Sequence, residues 1–225
     1  MILRRERIRQ FLRADLYGIT DSPHSRGRAT IEVVKAMLEA GVTIIQYREK
    51  DKNSGEKLRE CRVIRELTRQ AGALFIVNDR PDLALMTEAD GVHIGQNDYP
   101  PSEVRRLIGP EMILGLSTHA PLEAERAERD EAVDYIGVGP LFPTRTKRDV
   151  CQPVGLEYLD FVVQNINIPF VAIGGIKTHN IKEVANRGAK VIAVVTEITA
   201  AEDIKATIAQ LRMQLKDAAA RCTSE

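Results

Sequence analysis

The chain has no excess charge of either sign: 32 lysines and arginines are matched by 32 aspartates and glutamates. That balance excludes a global field able to gather nucleic acid or an anionic membrane, so any anion binding has to be local. Cysteine is scarce. Cys61, Cys151 and Cys222 are odd in number, far apart and outside any C-x-x-C spacing. This excludes a disulfide framework or a cysteine-built zinc site, and the expected compartment is reducing and cytoplasmic. No segment approaches the roughly 18 apolar residues of a membrane span. The arginine-rich start, MILRRERIRQFLRADLYGIT, also lacks the apolar stretch and small-residue cleavage site of a secretory leader. There Ile8, Phe11 and Leu12 fall on one helical face, which predicts an amphipathic helix within residues 1–15 covering the bottom of a core. Linkers, low-complexity tracts and composition shifts are absent too, so 225 residues with 44% hydrophobic content read as one domain over 1–225.

What the sequence does contain is alternation. Eight short apolar runs, LYGIT (16–20), TIIQYRE (43–49), LFIVND (74–79), GVHIG (91–95), ILGLS (113–117), YIGVG (135–139), FVAIGG (170–175) and VIAVVT (191–196), are separated by helical segments. Their near-continuous hydrophobicity is that of parallel strands covered on both faces. In ATIEVVKAMLEAG the residues Ile31, Val34, Met37 and Leu38 keep helical spacing, and Gly41 suits a C-terminal cap. Pro81 and Pro121 suit first helical turns. Eight β-α units predict an α/β fold, a (β/α)8 TIM barrel over residues 16–225 with the N-terminal helix as its cap. An open doubly wound sheet fits less well, since it normally needs fewer strands and no G-x-G-x-x-G opens the first helix.

A barrel places its chemistry at the carboxyl ends of the strands, and polar residues do follow the runs. They are Gln46, Arg48 and Lys50; Asn78 and Asp79; Gln96 and Asp98; Ser117 and His119; the segment GPLFPTRTK; Gly174 and Gly175; and Thr196. Arg48, Lys50 and Lys147 supply cations, and Thr144, Thr146 and Ser117 supply hydroxyls, a combination that holds phosphate oxygens. The glycine pair would let backbone N–H groups approach an anion closely. Asp79 and Asp98 end consecutive strands. Two such charges at about 4 Å and an effective dielectric near 20 repel by roughly 4 kcal/mol, which a shared dication removes. Few oxygen ligands beside phosphate-binding groups suit Mg²⁺, and cations plus a metal suggest a diphosphate leaving group.

Simpler roles compete at each position. Asp79 could cap a helix and Asp98 could be a loop or capping residue, with capping a second duty of Asp79 even if it holds an ion. Arg48 alone could be solvated or salt-bridged, the charge run at 123–134 reads as a solvated helix face, and His93 inside an apolar run reads as a hydrogen-bonded core imidazole.

QYREK, FIVNDRPDLAL, ADGVHIGQND, ILGLSTH, DYIGVGPLFPTRTK, VAIGGI and VVT stand in the order and at about the intervals found in thiamine-phosphate synthases. The chain resembles that family from about Leu16 to the last helix. The resemblance implies a barrel enzyme that joins hydroxymethylpyrimidine diphosphate to hydroxyethylthiazole phosphate, releasing diphosphate and giving thiamine phosphate. It implies that Gln46, Arg48, Lys50, Asn78 and Lys147 surround the pyrimidine diphosphate and that Ser117 lies near the reacting pyrimidine. It further implies Asp79 and Asp98 as Mg²⁺ ligands, and Thr144, Thr146, Gly175 and the Val195–Thr196 backbone as the thiazole phosphate cradle. Thr196 stands where serine is frequent, and Asn97 where an acidic residue is frequent.

The expected mechanism is dissociative, with Arg48, Lys50, Lys147 and Mg²⁺ stabilising the departing diphosphate and no protein nucleophile. Two other readings are a thiazole tautomerase using His119 and a phosphate-ligand sensor without turnover. The metal pair and the Gln-x-Arg-x-Lys cluster favour the synthase. The expected partners are phosphorylated small molecules; a homo-oligomer is allowed, and the oligomeric state is left open. The polar, aperiodic segment 144–155 reads as a mobile lid.

Overall fold

The computed structural model describes residues 2–144, 146 and 152–222. Eight parallel strands close on themselves in chain order: β1 (Leu16–Ile19), β2 (Ile44–Tyr47), β3 (Leu74–Asn78), β4 (Gly91–Ile94), β5 (Ile113–Thr118), β6 (Tyr135–Val138), β7 (Phe170–Ala172) and β8 (Ile192–Val194). The ring closes where Tyr17 pairs with Ala193. Between and after the strands run α2 (Thr30–Glu39), α3 (Ser54–Gln70), α4 (Pro81–Met86), α5 (Pro101–Ile108), α6 (Pro121–Arg129), α7 (Gly155–Asn165), α8 (Ile181–Asn186), α9 (Thr196–Thr199) and α10 (Ile204–Cys222), preceded by α1 (Ile2–Leu12). This is a (β/α)8 barrel, as the eight runs predict.

Alternation along the strands sorts side chains into two cores. One face of each strand packs outward against helices, with Ile45, Phe75, Val77, Val92, Leu114, Ile136 and Ile192 fully buried. The other fills the barrel with Tyr17, Ile19, Ile44, Leu74, Ile76, Ile113, Tyr135, Val171 and Ala193. Higher on the same inward rows, apolar side chains give way to Gln46, Asn78, His93 and Ser117.

Local chemistry sets the helix ends. α2 stops in a Schellman turn: Val42 N–H reaches Met37 O at 3.0 Å, Gly41 N–H reaches Leu38 O at 2.8 Å, and Gly41 takes φ +78°. Pro81 and Pro121 open α4 and α6. In α2 the buried stripe includes Val33 in place of Ile31, which is only half-buried.

The N-terminal helix covers the barrel floor, but its attachment differs from the amphipathic expectation. Phe11 is fully buried and Ile8 half-buried, whereas Leu12 is 51% exposed. Arginines do the rest: Arg4 holds Asp134 Oδ1 at 2.5 Å and Glu131 O at 3.0 Å, and Arg7 holds Asp90 Oδ1 at 3.0 Å and Glu111 O at 2.7 Å. These acceptors all precede strands β4, β5 and β6. Asp134 therefore leaves the solvated face expected for 123–134; it is buried between Arg4 and Arg105 and also accepts Leu114 N–H at 2.8 Å.

Candidate active site

The carboxyl ends of the strands surround a cavity of about 340 Å³, within the range of small-molecule sites. Its lining includes Gln46, Arg48, Asn78, Asp98, Ser117, Thr144, Thr146, Gly174, Gly175, Val195 and Thr196. Eleven of the residues singled out from sequence thus converge from all sides of the ring. Lys50 and Asp79 stand together at the rim. Lys147 lies outside the described residues, as do Arg145 and residues 147–151 of the segment read as a lid.

Arg48 is the buried cation of the mouth. Its backbone is fixed at β2's end by Thr20, whose hydroxyl accepts Arg48 N–H at 2.9 Å and donates to Arg48 O at 3.1 Å. Its guanidinium approaches the buried Asp21 carboxylate at 3.7 Å, yet Nε is buried without a hydrogen-bond partner. A buried unpaired donor costs about 1–3 kcal/mol, a cost that an anion in the cavity removes.

Asp79 takes φ +58°, a left-handed backbone that aspartate tolerates better than most residues. Its N–H donates to His93 O at 2.9 Å, extending the β3–β4 ladder by one step. Its carboxylate accepts from Lys50 Nζ at 2.5 Å and lies beside that of Asp98, which is held in turn by Gly95 N–H at 2.7 Å. Neither aspartate caps a helix: α4 begins at Arg80 and α5 at Pro100, both without a side-chain cap. The capping alternatives fail because both carboxylates face each other across the strand ends. Burial alone would raise Asp79, but Lys50 holds its carboxyl below the usual range. Burial and then the Asp79 charge push Asp98 up, against the pull of Gly95 N–H. Two like charges forced together in this way resolve their repulsion by splitting their proton affinities.

That pair is an oxygen-only donor set, and among the described residues no cluster of three or more His, Cys, Asp or Glu side chains gathers to hold an ion. Two carboxylates with open space beside them suit a hard cation that keeps waters and shares phosphate oxygens, as Mg²⁺ does, and do not suit zinc.

Another side of the mouth carries hydroxyls and tightly packed backbone. Thr144 and Thr146 hydroxyls lie 3.0 Å apart. Gly174 and Gly175 take φ +101° and +65°. A Cβ on Gly174 would meet Pro140 Cα at 2.3 Å, and one on Gly175 would meet Pro143 O at 2.7 Å. Close packing under the β6–α7 segment thus requires the glycines, besides any approach to a ligand. Lys177 also lines this side, donating to Thr196 Oγ1 at 3.1 Å and pairing with Glu197 at 3.3 Å. Sequence reasoning passed over Lys177, although its place two residues beyond the glycine pair is the signal that could have found it. His93 is the buried imidazole expected, yet its ring also borders the cavity. His119 borders it too, with Nδ1 at 2.5 Å from Gly139 O.

A family model described as thiamine monophosphate synthase matches residues 16–198. The thiamine-phosphate synthase of Pelotomaculum thermopropionicum is 61% identical over 211 residues, 94% of this chain and 96% of the relative. That of Lawsonia intracellularis is 56% identical over 204 residues, 91% and 94% of the two chains. The solved thiamine phosphate pyrophosphorylase of Pyrococcus furiosus superposes with a TM-score of 0.83 at 37% identity, covering 93% of this chain and 98% of that one. Barrel, mouth and relatives agree, and the chain belongs to the thiamine-phosphate synthase family.

Proposed function

We propose that this mouth joins hydroxymethylpyrimidine diphosphate to hydroxyethylthiazole phosphate by stabilising charge and aligning the partners, without a protein nucleophile. The observation that carries this reading is the Asp79–Asp98 pair beside Lys50, facing a cavity into which Arg48 brings a buried guanidinium with a free Nε. Asp79 and Asp98 would hold Mg²⁺, which when bound supplies positive charge to a diphosphate.

The C–O bond between the pyrimidine methylene and the diphosphate breaks, and its electron pair leaves with the diphosphate. Arg48 and Lys50 meet that growing negative charge, and Lys147 is assigned the same role from sequence. The ring's amino group donates electron density to the methylene cation, and the thiazole nitrogen lone pair forms the new C–N bond. Gln46, Asn78 and Ser117 orient the pyrimidine. Thr144, Thr146, Gly175, Val195 and Thr196 hold the thiazole phosphate, with Lys177 behind Thr196. Alignment of two bound partners supplies much of the acceleration in such a reaction. A reducing cytoplasm suits the free, buried Cys61 thiol, and among the described residues no helix is long and apolar enough to cross a membrane.

The test mixes both phosphorylated substrates with the protein, with and without Mg²⁺, and measures thiamine phosphate and diphosphate. The reading requires equal amounts of both products and dependence on the metal. Binding without turnover, or full turnover after chelation, would overturn it.

A further inference from the structure

Five polar side chains form one continuous hydrogen-bonded chain through the barrel. Gln46 Nε2 donates to Tyr17 Oη at 2.8 Å, and Tyr17 Oη lies 3.1 Å from Tyr135 Oη. Tyr135 Oη lies 3.1 Å from His93 Nδ1, and His93 Nε2 lies 3.0 Å from Ser117 Oγ. The members come from β2, β1, β6, β4 and β5; both ends, Gln46 and Ser117, border the cavity, and so do Tyr17 and His93 between them.

The surrounding backbone is shaped for this chain. A Cβ on Gly115 would sit 2.2 Å from Tyr135 Cζ and 2.5 Å from His93 Nδ1, and one on Gly137 would sit 3.2 Å from His93 Cε1. From below, Phe11 lies against Tyr135 at 4.5 Å between ring centres and edge-on to Tyr17 at 6.3 Å. The rings therefore have one place to be.

The chain also has a direction. An amide NH₂ can only donate, so Tyr17 Oη accepts from Gln46; for both phenol hydroxyls to be satisfied, the Tyr17 proton then goes to Tyr135. Tyr135 then donates to His93 Nδ1, which leaves the imidazole proton on Nε2. That proton goes to Ser117 Oγ, and the serine's own proton remains for the cavity. Burial pushes both phenols far above their ordinary values, so each keeps the proton it must pass on as a hydrogen bond.

We propose that this buried chain fixes hydrogen-bond polarity at the pyrimidine subsite, with Tyr17, Tyr135 and His93 as positioning residues that make Gln46 present its carbonyl and Ser117 its hydroxyl proton. An aminopyrimidine offers the matching edge, an amino donor beside a ring-nitrogen acceptor. Reversal of the chain would offer that edge a donor where it needs an acceptor. No proton is transferred along the chain; only orientation is transmitted. The inference rests on the proposed substrates for its ligand, while the polarity itself belongs to the protein alone.

Two measurements test it. Long-range ¹⁵N–¹H NMR of the unliganded protein should show His93 protonated on Nε2 and bare on Nδ1, and Tyr135→Phe should shift His93 toward the other tautomer. In steady-state kinetics Tyr135→Phe and Tyr17→Phe should each raise KM for the pyrimidine diphosphate about tenfold, the scale of one misdirected hydrogen bond, with KM for the thiazole phosphate within about twofold of wild type. Wild-type His93 protonated on Nδ1 would overturn the proposal, as would equal changes in both KM values. Should Tyr135→Phe fail to fold, Tyr17→Phe and the wild-type spectrum still decide. Wild-type protein that makes no thiamine phosphate would defeat the proposed reaction, and the His93 tautomer would still judge the chain.

Discussion

Asp79→Asn isolates the charge at the rim. Asparagine keeps the size of aspartate and also accepts a left-handed backbone, so φ +58° is retained where alanine would be strained. What disappears is one negative charge from a pair. Unit charges about 4 Å apart interact by roughly 4 kcal/mol at an effective dielectric near 20. The Asp98 side of the pair is open to water, and screening trims the figure to about 3 kcal/mol, or about two orders of magnitude in cation affinity. Lys50 simultaneously loses the carboxylate that holds its ammonium. The assay is a Mg²⁺ titration of turnover, paired with thermal melts to show that the barrel persists. Half-saturation should rise about 100-fold, and the Asp98 carboxyl, relieved of its neighbour's charge, should titrate lower by ¹³C NMR. A Mg²⁺ requirement within twofold of wild type, with an unchanged melt, would refute the shared-cation reasoning.

Two further outcomes follow from ion pairs, one buried and one partly exposed. Arg48→Lys keeps a charge against Asp21 but removes the planar donor set with its free Nε, so steady-state kinetics should show kcat/KM for the diphosphate substrate falling about 100-fold. At the barrel floor, burial would raise the Asp15 carboxyl, but Arg212 donates to it at 2.6 Å and holds it below its unfolded value. The pair's contribution is therefore complete above the unfolded pKa of about 4 and fades as pH falls through the folded value. Melts of Asp15→Asn should accordingly show a deficit at pH 7 that shrinks toward pH 3.

All eight apolar runs became strands because continuous hydrophobicity and turn residues are local properties of a two-sided parallel sheet. FIVNDR shows how far that reading reaches: its inward row carries Ile76 to Asn78, and Asp79 follows at the rim. The mouth was legible for a related reason, since strand ends in a closed barrel have only one place to meet. Contacts set by closure were not legible. Tyr17 and Tyr135 are 118 residues apart, and nothing periodic announces that their hydroxyls touch. Arg4 and Arg7 look like the polar face of a helix until the floor supplies Asp134 and Asp90 as partners. Leu12 fits the apolar spacing but turns to solvent, because long-range ion pairs rather than an oily stripe set the helix's rotation.

The floor built by α1 also imposes traffic rules. Phe11 fills the lower end of the barrel against Tyr17 and Tyr135, so among the described residues the cavity at the strand ends does not continue through the floor. The carboxyl-end mouth, not the floor, is therefore the side from which ligands reach it. The side from which a substrate approaches is thus set by a helix at the far end of the barrel.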